Sequence, residues 1–159
     1  MIDGDLRHPG LHEIFQLPMT SGLGEALRAT SDRALALFHI TPGLVVLPAG
    51  RPDPDPLAGL ASERMSGIIS EASTEFDWVL IDTPPVSLVP DAKLLASFAD
   101  AIVLVIRAGR SPLVLVQQTI EALGADKMIG VLLNATEAPS TQQMNGYYGY
   151  GYGYGGRRD

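Results

Sequence analysis

The sequence predicts a three-layer α/β domain, a parallel sheet with helices on both of its faces. Three observations predict it. Four short apolar runs lie between turn signals: Leu44 to Leu47, Trp78 to Ile81, Ala101 to Ile106 and Ile129 to Leu133. Short runs of this kind, with β-branched residues, suit strands buried on both faces. The stretches between them repeat apolar residues every three or four positions, the spacing of a helix face. Strands and helices alternate, and parallel strands need such crossovers.

Taken in order, the chain starts with Met1-Ile2 directly before Asp3-Gly4-Asp5. If Asp3 ends a strand, most of that strand lies upstream. The chain is therefore expected to be an N-terminally truncated fragment, or a start codon assigned inside a longer gene, against the plainer alternative of an unstructured N-terminus. Gly22 to Arg28 reads as a short helix with Leu23 and Leu27 facing inward. Leu44 to Leu47 is a strand closed by Pro48-Ala49-Gly50. Five of the 12 prolines fall between Pro42 and Pro56, which marks a connection rather than a second domain. Asp55-Pro56 is expected to be an N-cap with proline in the first turn. Behind it Leu57, Leu60, Ala61, Met65, Ile68, Ile69, Ala72 and Phe76 form one stripe, on a helix of about five turns. Trp78 to Ile81 is a strand ending at Asp82. Asp91 to Phe98 is a shorter helix, and Ala101 to Ile106 a strand. Leu113, Val116, Ile120 and Leu123 form a helix face behind Ser111-Pro112 as cap and first turn. Ile129 to Leu133 is the last strand. The body is expected over 1–138 and a linker with a flexible tail over 139–159.

Composition narrows the function classes. The chain has 159 residues, 46% apolar and 18% charged, enough apolar material for one folded domain. Asp plus Glu outnumber Lys plus Arg, 18 to 11, for a formal charge of −7. That argues against a nucleic-acid surface, which needs a basic face. Without cysteine there are no disulfides, thiolate metal sites or cysteine nucleophiles. The three histidines, His8, His12 and His39, are scattered. Apolar runs of about six residues fall far short of the ~20 that a membrane helix needs. No signal peptide is visible, so the chain is expected to be soluble and intracellular.

The acidic positions carry the chemistry. Asp3 and Asp5 are two apart, with Arg7 two further on and then Pro9. Asp82 closes an apolar run and precedes Thr83-Pro84-Pro85. Ligands of open α/β sheets bind beyond the carboxyl ends of strands. A carboxylate there can hold a hard cation, and nucleotide-bound Mg²⁺ takes one or two carboxylates plus phosphate oxygens. The plainer alternative is that Asp82 only caps the turn before two prolines.

Asp3-Gly4-Asp5-Leu6-Arg7-His8-Pro9 resembles the second Walker A segment of the bacterial tyrosine autokinases of capsule and exopolysaccharide synthesis. Val79-Leu80-Ile81-Asp82-Thr83-Pro84-Pro85 resembles their Walker B. The segment from Leu47-Pro48-Ala49-Gly50 through Pro52, Asp55-Pro56 and Leu60 to Ser62 resembles the stretch between, with Asp55 where Asn is usual. Gly130-Val131-Leu132-Leu133-Asn134 is similar to the adenine-side strand. Tyr147, Tyr148, Tyr150, Tyr152 and Tyr154 resemble the family's tyrosine cluster. The likeness covers nearly the whole chain and implies a P-loop NTPase type of fold.

What the resemblance implies is specific. Asp3 would sit near the γ-phosphate and accept the tyrosine proton. Asp5 and Asp82 would help hold Mg²⁺. Arg7 would bear on phosphate or on the Asp pair, the alternative being an ion pair with Asp5. Asn134 would hydrogen-bond the adenine of ATP, the alternative being a strand-end turn; Ala135-Thr136 replaces the Arg that often follows it. The five tyrosines would be phosphoacceptors. A membrane protein of the chain-length-determinant type, fused upstream or separate, would be the activating partner. A homo-oligomer, a cognate tyrosine phosphatase and a cytoplasmic place at the inner face of the plasma membrane are likewise implied.

One departure weighs against activity in these residues alone. The loop G-x-x-x-x-G-K-[ST] is absent, and the two lysines, Lys93 and Lys127, do not end a glycine loop. Its Lys and backbone amides hold ATP phosphates and its hydroxyl holds Mg²⁺. Two alternatives stand beside the kinase reading: a Walker-type ATPase of the partitioning and cell-division kind, which shares the Asp-x-Asp and Asp-Thr-Pro-Pro elements, and a non-catalytic phosphoacceptor fragment, which the absent loop favours. The tyrosine cluster speaks against the first of these, because such ATPases have no use for it.

The tail differs from the body in composition. All five tyrosines lie between Tyr147 and Tyr154, and six of the 17 glycines between Gly146 and Gly156. Gly/Tyr alternation is poor strand material, and an exposed run of tyrosines suits a phosphoacceptor. A sticky low-complexity tail is the plainer reading.

Overall fold

The computed structural model describes residues 1–29, 34–86 and 90–136. The linker and tail expected over 139–159, with all five tyrosines, lie outside the described residues. Six strands and six helices occur among those described. β1 (Ile2–Asp3) is followed by α1 (Leu11–Phe15) and α2 (Leu23–Arg28). β2 (Phe38–Thr41) and β3 (Leu44–Val46) precede α3 (Leu57–Leu60) and α4 (Glu63–Glu75). β4 (Ile81–Asp82), α5 (Asp91–Phe98), β5 (Ile102–Arg107), α6 (Leu113–Leu123) and β6 (Met128–Asn134) complete the order.

The strands form three pairs. β1 pairs parallel with β4, β5 pairs parallel with β6, and β2 pairs antiparallel with β3. β1 is also bridged in parallel to Leu47, just beyond β3. Asp3 N–H donates to Leu47 C=O at 2.9 Å, and Leu47 N–H to Met1 C=O at 2.9 Å. β1 therefore runs between the Leu47 segment and β4. The α/β class with parallel pairing agrees with the sequence reading.

Several elements differ from expectation. The run Leu44 to Leu47 closes a hairpin with β2, which the apolar-run criterion passed over because Phe38-His39-Ile40-Thr41 alternates instead. Pro42-Gly43 make its turn, a pairing of turn formers that ends strands. The five-turn helix expected behind Asp55-Pro56 is broken in two. Ser62 breaks it: its hydroxyl accepts Met65 N–H at 3.3 Å as the cap of α4 and donates to Gly59 C=O at 2.6 Å. Serine competes with the helix backbone in this way. Pro56, not Asp55, is the residue before α3, and no side chain caps that helix. Ser111 does not cap α6; its hydroxyl accepts Arg107 N–H at 3.2 Å. The Trp78 to Ile81 run forms a strand only at its end, and Trp78 is 83% exposed. β5 and β6 are not buried on both faces, since Val105 and Leu132, partners in register, are more than half exposed.

The core lies around β1. Ile2, Leu6, Leu23, Ala26, Leu47, Leu60, Met65, Ile68 and Leu95 are buried together. Each large side chain removed from water in this way contributes roughly 1.5–3 kcal/mol. Leu23 is fully buried and Leu27 packs on the cluster, so α2 presents the face that its sequence predicts. This core clamps α2, α4 and α5 around β1 and so fixes where β1 ends.

Candidate active site

In the parallel register of β1 and β4, Ile2 faces Ile81 and Asp3 faces Asp82. Gly4 N–H donates to Asp82 C=O at 2.8 Å, extending the ladder past the strand end. Two carboxylates from segments 79 residues apart in sequence thus leave the sheet side by side, at its carboxyl end. The closeness requires glycine at position 4. A Cβ there would lie 2.7 Å from Asp82 O and 2.8 Å from Leu95 Cδ1.

The three aspartates differ in environment. Asp3 is fully buried. Its Oδ1 accepts Asp5 N–H at 3.2 Å, and its Oδ2 accepts Gly10 N–H at 3.2 Å and Leu11 N–H at 3.0 Å. Both oxygens therefore hold the loop that leads into α1. Burial pushes this carboxyl above the ordinary aspartate range, and the three N–H groups pull it back. Asp5 is half-buried. Its Oδ1 accepts Arg7 N–H at 3.2 Å and His8 N–H at 2.9 Å, and its Oδ2 has no partner among the described residues. Asp82 is exposed as a residue, so its desolvation is partial. That desolvation, and then the negative charges of Asp3 and Asp5, push its carboxyl up, against an opposing N–H from Thr83.

The Arg7 guanidinium pairs with Asp91, not with Asp5. Its Nε donates to Asp91 Oδ2 at 2.6 Å and its Nη2 to Asp91 Oδ1 at 3.2 Å, a two-pronged ion pair; its Nη1 donates to Pro54 C=O. Asp91 is fully buried at the first position of α5. Nothing in sequence spacing links positions 7 and 91, although a buried aspartate needs a partner.

Asn134 ends β6, in register with Arg107. Its C=O accepts Ala108 N–H at 2.9 Å and its Oδ1 accepts Ala135 N–H at 2.7 Å, where Ala135 has φ 54°. The chain bends at Ala135, just past the strand end. A cleft of about 480 Å³ separates β4 from β5 and α6, lined by Ile81, Asp82, Thr83, Leu104, Arg110 and Ser111 among others. Pockets of this volume take small ligands. Asn134 does not line it. Arg110, which sequence reasoning did not single out, and Ser111, which it read only as a helix cap, face it because the turn after β5 carries them there.

Among the described residues no group of three or more His, Cys, Asp or Glu is arranged to hold a metal ion. Asp5 and Asp82 supply two carboxylates under mutual repulsion, one with an open oxygen. This suits a dication whose remaining ligands are water and phosphate oxygens.

No protein-family model matches the chain. It is 36% identical over 152 residues to the tyrosine-protein kinase YwqD of Bacillus subtilis (strain 168), covering 94% of this chain and 64% of that protein. It is 34% identical over 153 residues to the putative tyrosine-protein kinase CapB of Staphylococcus aureus, covering 94% of this chain and 67% of that protein. The chain belongs to the bacterial tyrosine-protein kinases. Another relative, the succinoglycan biosynthesis transport protein ExoP of Rhizobium meliloti (strain 1021), is 36% identical over 146 residues, 86% of this chain and 18% of that protein. Among solved structures, the kinase domain of the Escherichia coli tyrosine kinase ETK superposes with a TM-score of 0.78 at 29% identity, over 97% of this chain and 59% of that one. The chain thus spans about two thirds of the bacterial tyrosine-protein kinases YwqD and CapB. No helix among the described residues is long and apolar enough to cross a membrane.

Proposed function

We propose that this chain is the Mg-ATP-handling and phosphoacceptor part of a protein-tyrosine autokinase that regulates the polymerisation and export of a surface polysaccharide. The observation that carries the reading is the β1–β4 register, which puts Asp3 opposite Asp82 and Asp5 just beyond. Asp5 and Asp82 would hold Mg²⁺, which supplies charge neutralisation at the phosphates of ATP when bound. Phosphoryl transfer depends mainly on positioning and charge, so carboxylates and backbone amides are the groups it needs. Asp3 was expected to accept the tyrosine proton. With both oxygens engaged by backbone N–H groups, we assign it to holding the loop instead. We place the phosphates in the cleft beside Asp82, Arg110 and Ser111. The finer fold reading, three layers of the P-loop NTPase type, belongs to this proposal. So do the division at 138/139 and phosphate acceptance by Tyr147, Tyr148, Tyr150, Tyr152 and Tyr154.

The same reading supplies partners: a chain-length-determinant type of membrane protein, further copies of this chain, a cognate tyrosine phosphatase, and a place at the inner face of the plasma membrane. One observation favours a second reading for these 159 residues on their own. They contain no G-x-x-x-x-G-K-[ST] loop, so alone they would serve as phosphoacceptor rather than kinase.

The test incubates the complete polypeptide that carries these residues with Mg-ATP, with and without EDTA, and maps phosphate by mass spectrometry. Phosphate on the 147–154 tyrosines that EDTA prevents supports the autokinase. ATP hydrolysis without phosphotyrosine would favour the partitioning type of ATPase and sink the kinase reading.

A further inference from the structure

We propose that the Arg7–Asp91 pair is a positioning clasp that sets the separation of Asp5 and Asp82 and so the affinity of their dication site. The proposal rests on the reading of Asp5 and Asp82 as the metal-holding pair. Three segments meet at Arg7: its own loop after β1, the Pro54 segment before α3, and the start of α5. The loop and the Pro54 segment are joined a second time, Asp53 N–H donating to Leu6 C=O at 2.7 Å. α5 is the helix that follows β4 and its Asp82. The loop that carries Asp5 is therefore tied twice, to Asp82 by the Gly4 N–H bond inside the sheet and to α5, whose Leu95 lies against Gly4, by the clasp outside it.

The clasp is built to be stiff. Asp91 is 1% exposed at its side chain and Arg7 22%. A planar guanidinium gripping both oxygens of a buried carboxylate fixes distance and angle together, which a lysine does not. Without it the β1–β4 pairing, the Asp3 bonds and the core still hold the fold, but the Asp5 loop loses its stiff outer tie against the repulsion between Asp5 and Asp82. Groups that orient metal ligands from behind change metal affinity by about 10–100-fold when removed.

The experiment titrates the 159-residue chain with Mn²⁺ alone and follows paramagnetic broadening of the backbone amides of Asp5 and Thr83 by NMR. The variants are R7K, which keeps the charge and loses the fork, and the double variant R7M/D91L, which removes both charges without leaving one buried. Amide-exchange protection of Leu95 and Leu47 verifies that each is folded. In both folded variants the Mn²⁺ concentration for half-broadening should rise by about 10-fold or more. In the complete polypeptide, the Mg²⁺ requirement of autophosphorylation should rise in parallel. If the wild type binds Mn²⁺ at Asp5 and Thr83 and folded R7M/D91L binds it equally well, the clasp is wrong and the metal reading stands. If the wild type shows no broadening at either amide, the metal reading falls and the clasp falls with it.

Discussion

At the scale of single residues, stability and function pull apart at Asp82. Its carboxyl is raised by partial desolvation and by Asp3 and Asp5, so its charge weighs against the folded state. An acid with a raised folded pKa costs stability above that pKa, and the cost vanishes as the pH falls toward the unfolded value, 3.8. Asp82→Asn should therefore shift the urea midpoint up at pH 7, and the difference should close as the pH is lowered. A midpoint lower than wild type at pH 7 would mean that Asp82 is a structural cap. Gly4 makes the complementary prediction. Gly4→Ala places a Cβ against Asp82 O and Leu95 Cδ1, and overpacking of this kind costs about 1–3 kcal/mol. Unlike Asp82→Asn, it should lower the urea midpoint at every pH; an unchanged midpoint would show that the β1–β4 contact is loose.

At the scale of elements, what was legible in the sequence was local. α5 and α2 were readable because their apolar spacing and their packing agree. The strand ends at Asp3 and Asp82 were readable because apolar runs stop there. The break at Ser62 was hidden, since the apolar stripe runs on unbroken through both α3 and α4, and only the hydroxyl bonds to Gly59 and Met65 end one helix and begin the next. Ser62→Ala removes that cap. The loss should be about 0.5–2 kcal/mol, read as a lower urea midpoint; a stabilised variant would show that one continuous helix is preferred. The partner of Arg7 was hidden for another reason. Asp5 is near it in sequence, but its Oδ1 takes backbone N–H groups, and the fold brings Asp91 from 84 positions away. Asn134 reads as an adenine ligand only by likeness; in the fold its Oδ1 takes the N–H of Ala135, just past the strand end.

At the scale of the whole molecule, the cleft between β4 and the β5–α6–β6 unit carries an acid on one wall and Arg110 and Ser111 on the other. On the proposed reading a nucleotide in this cleft would touch both walls, yet these residues include no lysine-bearing glycine loop to grip its phosphates. The 159-residue chain on its own should therefore bind Mg-ATP only weakly, and micromolar affinity in calorimetry would contradict that. In the complete polypeptide the central claim is that Asp5 and Asp82 act together on Mg-ATP to phosphorylate the 147–154 tyrosines. The most direct measurement is the initial rate of phosphotyrosine formation in the complete polypeptide, wild type against Asp82→Asn, at saturating Mg-ATP and at a temperature where both are folded. Removing one electrostatic catalytic group costs about 10²–10³-fold, and a loss of at least about 100-fold is expected. Near-normal phosphorylation by a folded Asp82→Asn protein would contradict it.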